Sequence, residues 1–203
     1  MSQSATKILI LNSHPDDALL SMGGSIAKFI GQGCEITYVV FSWLGQGFNK
    51  EEIINSLTSL GLKESHIRLL NYEVRNFPYF ASAIRQEMIN LREQIKPDKV
   101  FVNSSFDHHQ DHEIVSKEGY RAFREETLFG YILPWNVREL KFQAFQEIEQ
   151  KHLDAKLKSI KLLNSQQFRF YYNQERIKAL AISIGLFRRK ELAEPFEILN
   201  INL

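Results

Sequence analysis

Short apolar runs alternate with longer amphipathic ones through the first two thirds of the chain. Lys7–Asn12 is short, apolar and followed by a polar turn, which predicts a buried strand. Ser21–Gly31 predicts a helix that stops at Gly31 or Gly33. The β-branched and aromatic run Ile36–Phe41 predicts a second strand. Apolar residues at 53, 54, 57 and 60 predict a helix over Glu51–Leu60, ended by Gly61. Ile67–Leu70 predicts a third strand and Ile84–Ile95 a helix stopped by Pro97. Val100–Val102 predicts a fourth strand, Ile114–Phe123 a helix and Leu128–Leu133 a further strand.

This alternation means βαβ units, and the fold expected is α/β: a Rossmann-like three-layer sandwich, with a mostly parallel sheet and helices on both faces. No repeat, low-complexity stretch or linker interrupts residues 1–203, which read as one domain. The last third has a different texture. Phe145–Leu163 carries Lys151, Lys156, Lys158 and Lys161 among Glu147, Glu149 and Asp154, and reads as one exposed helix with a solvated face. Arg176–Ile184 predicts another helix and Phe196–Ile201 a closing strand. The aromatic run Phe168, Phe170, Tyr171 and Tyr172 suits either an interface or a covered core edge.

Hydrophobic residues at 44% and charged residues at 24% are the profile of a globular protein with a real core. A formal charge of +1, from 25 basic and 24 acidic residues, argues against nucleic acid or an anionic membrane as general partner. The single cysteine, Cys34, cannot form an intrachain disulfide, and it opens an apolar run as a small buried residue would. The passage from Met1 through Ser4 into Lys7 and Ile8 lacks the pattern of a secretory leader. No apolar run approaches the ~20 residues of a membrane span, so no membrane insertion is expected and the expected location is the cytoplasm. A homo-oligomer is compatible with the chain.

Two polar clusters carry the chemistry. The first strand runs into Ser13-His14-Pro15-Asp16-Asp17. Imidazole and carboxylate are the usual non-thiol zinc ligands. Pro15 stiffens the turn, and His14 and Asp17, three apart, can converge on one ion. Asp16 between them can hold a water and take its proton. Against this stands helix capping by Asp16 or Asp17, since Asp is a favoured N-cap, and phosphate cradling by Gly23-Gly24, for which the rest of a glycine-rich fingerprint is missing. The second cluster, Asp107-His108-His109-Gln110-Asp111-His112, places three of six histidines within five residues after the fourth strand. One of these histidines would complete a three-ligand site with His14 and Asp17. A carboxylate beside a histidine fixes its tautomer. His108 reads as exposed and inert. Both clusters follow strands, so an open α/β sheet delivers them to one rim.

The two clusters together resemble the PIG-L/LmbE-like family of zinc-dependent N-acetylglucosaminyl deacetylases. The pattern is His14-Pro15-Asp16-Asp17, then Gly23-Gly24, then His109-Gln110-Asp111-His112, with Gly23-Gly24-Ser25-Ile26-Ala27, Leu60-Gly61, Lys96-Pro97-Asp98 and Ala193-Glu194-Pro195-Phe196 between and after. The resemblance implies one zinc ion per chain (another divalent metal being an alternative) bound by His14, Asp17 and His112. It implies Asp16 as general base, His109 as the group that stabilises the oxyanion or protonates the leaving amine, and Asp111 as the group that orients a neighbouring histidine. The reaction implied is removal of the acetyl group from a small N-acetylated amino sugar or sugar conjugate, a linear-amide hydrolysis. Ala18 stands where many members have Glu, which bears on substrate contacts on that side. Arg75 and Arg85 are candidates to hold substrate hydroxyls or phosphate, with a surface salt bridge as the competing role for each. Two other functions fit the same text: a metal-dependent amidase acting on a non-sugar conjugate, and a non-catalytic nucleotide- or sugar-binding module.

Overall fold

A computed structural model describes residues 5–202. The leader reading of the first residues falls on Met1–Ser4, outside that range. Seven strands form one sheet: β1 (Lys7–Asn12), β2 (Glu35–Val40), β3 (Ile67–Leu69), β4 (Lys99–Asn103), β5 (Thr127–Tyr131), β6 (Ala144–Ile148) and β7 (Leu192–Asn200). Six helices accompany them: α1 (Asp17–Gly31), α2 (Lys50–Ser59), α3 (Phe77–Ile95), α4 (Gln110–Ala122), α5 (Gln150–Lys161) and α6 (Gln174–Leu186). The strand order is β3-β2-β1-β4-β5-β7-β6. The first five strands are mutually parallel, and β7 runs antiparallel between β5 and β6. The expected α/β sandwich with a mostly parallel sheet is therefore what forms.

Alternation along β1 shows why both faces are covered. Ile8 and Ile10 pack into a core that contains residues of α1, α2, α5 and α6, whereas Leu9 and Leu11 face a second core with residues of α3 and α4. No helix among the described residues is long and apolar enough to cross a membrane.

Three helices begin earlier than expected, each for a local reason. α1 starts at Asp17 rather than Ser21 because its first turn is buried on every side, which removes the amphipathic contrast. α3 starts at Phe77 rather than Ile84; Pro78 sits in its first turn, where a missing N–H costs nothing. α4 starts at Gln110 rather than Ile114, inside the histidine cluster. The fifth strand ends at Tyr131 rather than Leu133, and the closing strand spans Leu192–Asn200 rather than Phe196–Ile201.

The reading of Phe145–Leu163 as one exposed helix is wrong on two counts. Residues 144–148 are β6, an edge strand paired with β7. The helix that follows buries His152, Leu153, Lys156, Ser159 and Ile160. Lys156 is the informative residue. Its Nζ donates to Glu194 Oε1 at 2.7 Å and to the Ser21 carbonyl at 3.0 Å. Glu194 accepts in turn from the Gly24 and Ser25 N–H groups, at 3.0 and 2.6 Å. Helix α1 is broken at Met22 (φ −123°, ψ 23°), and a break leaves backbone groups unpaired on both sides. Lys156 takes a freed carbonyl of the first piece and Glu194 takes freed N–H groups of the second. Gly23 and Gly24 lie inside this helix, not in a phosphate-cradling loop. A Cβ on Gly23 would come within 2.8 Å of Lys156 Cγ, and one on Gly24 within 2.7 Å of Ile148 Cδ1.

Candidate active site

The chain proceeds from β1 outward through β2 and β3, then returns to place β4 on the other side of β1. The carboxyl ends of β1 and β4 are therefore neighbours at the point where strand order reverses, which is where open α/β sheets bind their ligands. Both histidine-bearing turns leave from there. Ser13 Oγ donates to Asn103 Oδ1 at 3.0 Å and ties the two exits together.

His14 Nδ1, Asp17 Oδ2 and His112 Nε2 converge. The two nitrogens are 3.0 Å apart, His112 Nε2 is 3.3 Å from Asp17 Oδ2, and His14 Nδ1 is 3.6 Å from it. A tetrahedral zinc ion with bonds of ~2.0–2.2 Å would separate its ligand atoms by roughly 3.3 Å. Each histidine turns its other nitrogen outward onto a buried carboxylate. His14 Nε2 lies 3.2 Å from Asp111 Oδ2, and His112 Nδ1 lies 2.8 Å from Asp107 Oδ2. Asp111 is fixed by the Arg75 N–H at 2.7 Å, and Asp107 by Asn136 Nδ2 at 3.2 Å. A carboxylate on the outer N–H leaves the inner nitrogen as a lone pair. Three electron-pair donors then point at one spot, an arrangement that calls for a cation. Without an ion, a proton takes the cation's place on His14, to be displaced when a metal binds. Burial disfavours a charged His14, yet Asp17 and Asp111 outweigh it and hold its pKa up at about 10. Burial also works against the Asp17 carboxylate, and His112 and His14 keep it below its ordinary range. These residues fit a divalent ion with nitrogen and oxygen ligands.

His109 competes with Asp17 for the third position, since a ring nitrogen of His109 lies within 4.8 Å of the donors on His14 and His112. The set with Asp17 is tighter. His109 has another engagement as N-cap of α4, its Nδ1 accepting the Asp111 N–H at 3.2 Å. Burial, then the His112 and His14 rings, push its pKa down to about 4. His109 is therefore neutral near pH 7, with its proton on Nε2.

Asp16 occupies the N-cap position of α1 but caps nothing with its side chain. Asn12 Oδ1 receives the Ala18 N–H instead, at 3.0 Å. Asp16 Oδ2 accepts from the Tyr172 hydroxyl at 2.7 Å. Burial and the neighbouring Asp17 charge push the Asp16 carboxyl above its ordinary value, and the Tyr172 hydrogen bond opposes them.

These groups floor a cavity of about 390 Å³, within the range of small-molecule sites. Its walls include Arg75, Trp135, Arg169 and Tyr171. The Trp135 and Tyr171 rings stack with centroids 4.4 Å apart and planes 6° apart, and Arg169 donates to the Tyr171 hydroxyl at 2.6 Å. Arg75 holds a left-handed backbone (φ 66°) beside its bond to Asp111. Arg85 lies outside this wall and pairs with Glu118 at 3.1 Å, while His108 is exposed. Asp107, Arg169 and Tyr172 were not singled out for these positions by sequence. The only signal for the last two was an arginine within a loop-borne aromatic run, and loops are where site residues concentrate.

Known proteins share this arrangement of elements. The chain is 27% identical over 164 residues to the Escherichia coli (strain K12) protein named uncharacterized deacetylase YaiS, covering 76% of this chain and 88% of that one. The structure superposes on N,N'-diacetylchitobiose deacetylase from Pyrococcus horikoshii in complex with its inhibitor, with a TM-score of 0.79 at 22% identity, over 96% of this chain and 84% of that one. It superposes equally, at a TM-score of 0.79 and 16% identity over 98% of each chain, on GalB, the 4-carboxy-2-hydroxymuconate hydratase from Pseudomonas putida KT2440. The two structural likenesses establish the fold, which supports more than one reaction. The family profile is what discriminates. The profile described as PIG-L, GlcNAc-PI de-N-acetylase, matches residues 9–123, more than half of the chain and the stretch that holds both clusters. This chain belongs to the PIG-L (GlcNAc-PI de-N-acetylase) family.

Proposed function

We propose that the protein is a zinc-dependent N-deacetylase that hydrolyses the acetamido group of an N-acetylated amino-sugar conjugate. The observation that carries this reading is the convergence of His14 Nδ1, Asp17 Oδ2 and His112 Nε2, with each histidine backed by a carboxylate. These three residues would hold the ion, which when bound supplies Lewis acidity to the acyl carbonyl and to the attacking water.

The chain's own groups divide the remaining work. Asp16 accepts a proton from the water as it attacks the acetyl carbon, and that proton passes on to the departing nitrogen. His109 offers its Nε2–H to the carbonyl oxygen as charge builds on it, because its Nδ1 is spent on the Asp111 N–H. Asp111 and Asp107 hold His14 and His112 in register. The C–N bond breaks, and acetate and a free amine leave. Arg75, Trp135 and Tyr171 would line the sugar, an aromatic face suiting the apolar side of a pyranose ring. The diacetylchitobiose specificity in the name of a structural relative supports the sugar class. A cytoplasmic setting and a small-molecule substrate complete the proposal, the latter supported by the size of the cavity, about 390 Å³.

The test is acetate release from a panel of N-acetyl sugars, free, glycan-linked and nucleotide-linked, by the chelated protein and after zinc is returned. Release that depends on the metal is expected for at least one sugar. Stoichiometric zinc with activity only on non-sugar amides would move the substrate class, and a protein that binds no metal would sink the proposal.

A further inference from the structure

Among the groups around the cavity, the Tyr172 hydroxyl meets the proposed base directly yet belongs neither to the ion's donors nor to the cavity wall. It lies 2.7 Å from Asp16 Oδ2, and its ring is 2% exposed. An aspartate at an N-cap has a competing conformation, folded over the first turn to accept a backbone N–H. Two features hold Asp16 out of it. Asn12 Oδ1 already receives the Ala18 N–H, and Tyr172 draws the carboxylate towards the strap of short turns between α5 and α6. With Oδ2 so occupied, Oδ1 is the oxygen left for the cavity, on whose surface Asp16 lies.

Resting on the deacetylase reading above, we infer that Tyr172 is a positioning residue for Asp16: its hydroxyl anchors one carboxylate oxygen so that the other faces the attacking water. The aromatic ring serves the core, and the oxygen serves the site. A hydroxyl kept only for packing would have no need of a carboxylate, and an unpaired one would be costly at this depth.

Tyr172→Phe removes only the oxygen. Zinc content should match that of the unmodified protein, and the thermal midpoint should fall by a few degrees at most. Turnover should fall roughly tenfold, as expected for one hydrogen bond to a charged group, with KM unchanged. In an Asp16→Ala background the same substitution should cost nothing further, because its effect runs through Asp16. The crystal structure of Tyr172→Phe should show the Asp16 side chain turned from its present rotamer. An equal loss of turnover with and without Asp16 would overturn the inference, as would an Asp16 that stays in place. The crystallographic arm is independent of any substrate. If no amide is cleaved, the deacetylase reading fails while the position of Asp16 is still decided.

Discussion

The chain up to Tyr131 and the chain beyond it contribute to one cavity by different means. The earlier part supplies the candidate ion ligands and proton-transfer groups, all on turns or helix starts that leave the carboxyl ends of β1 and β4. The later part supplies Trp135, Arg169 and Tyr171 to the wall, and Tyr172 behind Asp16, from short turns that cross the rim. The family profile matches the first of these regions and stops at residue 123. Strand order dictates where a strand-end residue goes, and both clusters lie inside the matched stretch. No such rule places a rim turn, and of the four wall residues named above Trp135, Arg169 and Tyr171 lie beyond the matched stretch while Arg75 lies within it.

Substitutions can break that division, and the largest effect belongs to the ion's donors. His112→Ala should drop zinc below one per chain by elemental analysis and abolish acetate release. Asp16→Ala should keep the zinc and lose about 10²–10⁴-fold in turnover. Equal metal loss in the two variants would end the separation between donors and base. Next is the splint across the α1 break. Lys156→Ala strands the buried Glu194 carboxylate and should cost about 3–5 kcal/mol in denaturant unfolding. A loss under about 1 kcal/mol would mean that the later region does not hold the earlier one in shape. Asp107→Asn should come third, weakening zinc roughly 10–100-fold in competition with a chromophoric chelator, since it backs His112 without touching the ion. Smallest is Trp135→Ala, which should raise KM for a sugar substrate about fivefold, near 1 kcal/mol, and leave kcat and zinc content alone. A matching fall in kcat would blur the line between walls and chemistry.

Much of the earlier region was legible because its signals are local. Alternation and β-branching mark β1 and β2, and a cluster of histidines after a strand end marks the site. The later region hid its roles because they are long-range. Lys156 has the sequence context of a solvated lysine, with Lys158 and Lys161 close by, and only Glu194, 38 residues on, explains its burial. Tyr172 reaches Asp16 across 156 residues, and no periodicity announces such a pair. His109 presented two candidate roles, and the backbone bond that makes it a helix cap is what turns its proton towards the cavity. Arg85 and Arg75 looked alike in sequence. The fold separates them, giving one to Glu118 and the other to the wall.

The splint also sets the order in which the molecule can become competent during synthesis. All the candidate ion ligands have been synthesised once residue 112 is made, yet Glu194, which secures the helix behind Asp17, comes more than eighty residues later. A nascent chain interrupted between these points would carry every donor, with Asp17 on an unbraced helix. Metal capture should therefore lag behind the appearance of the histidines and follow the docking of β7.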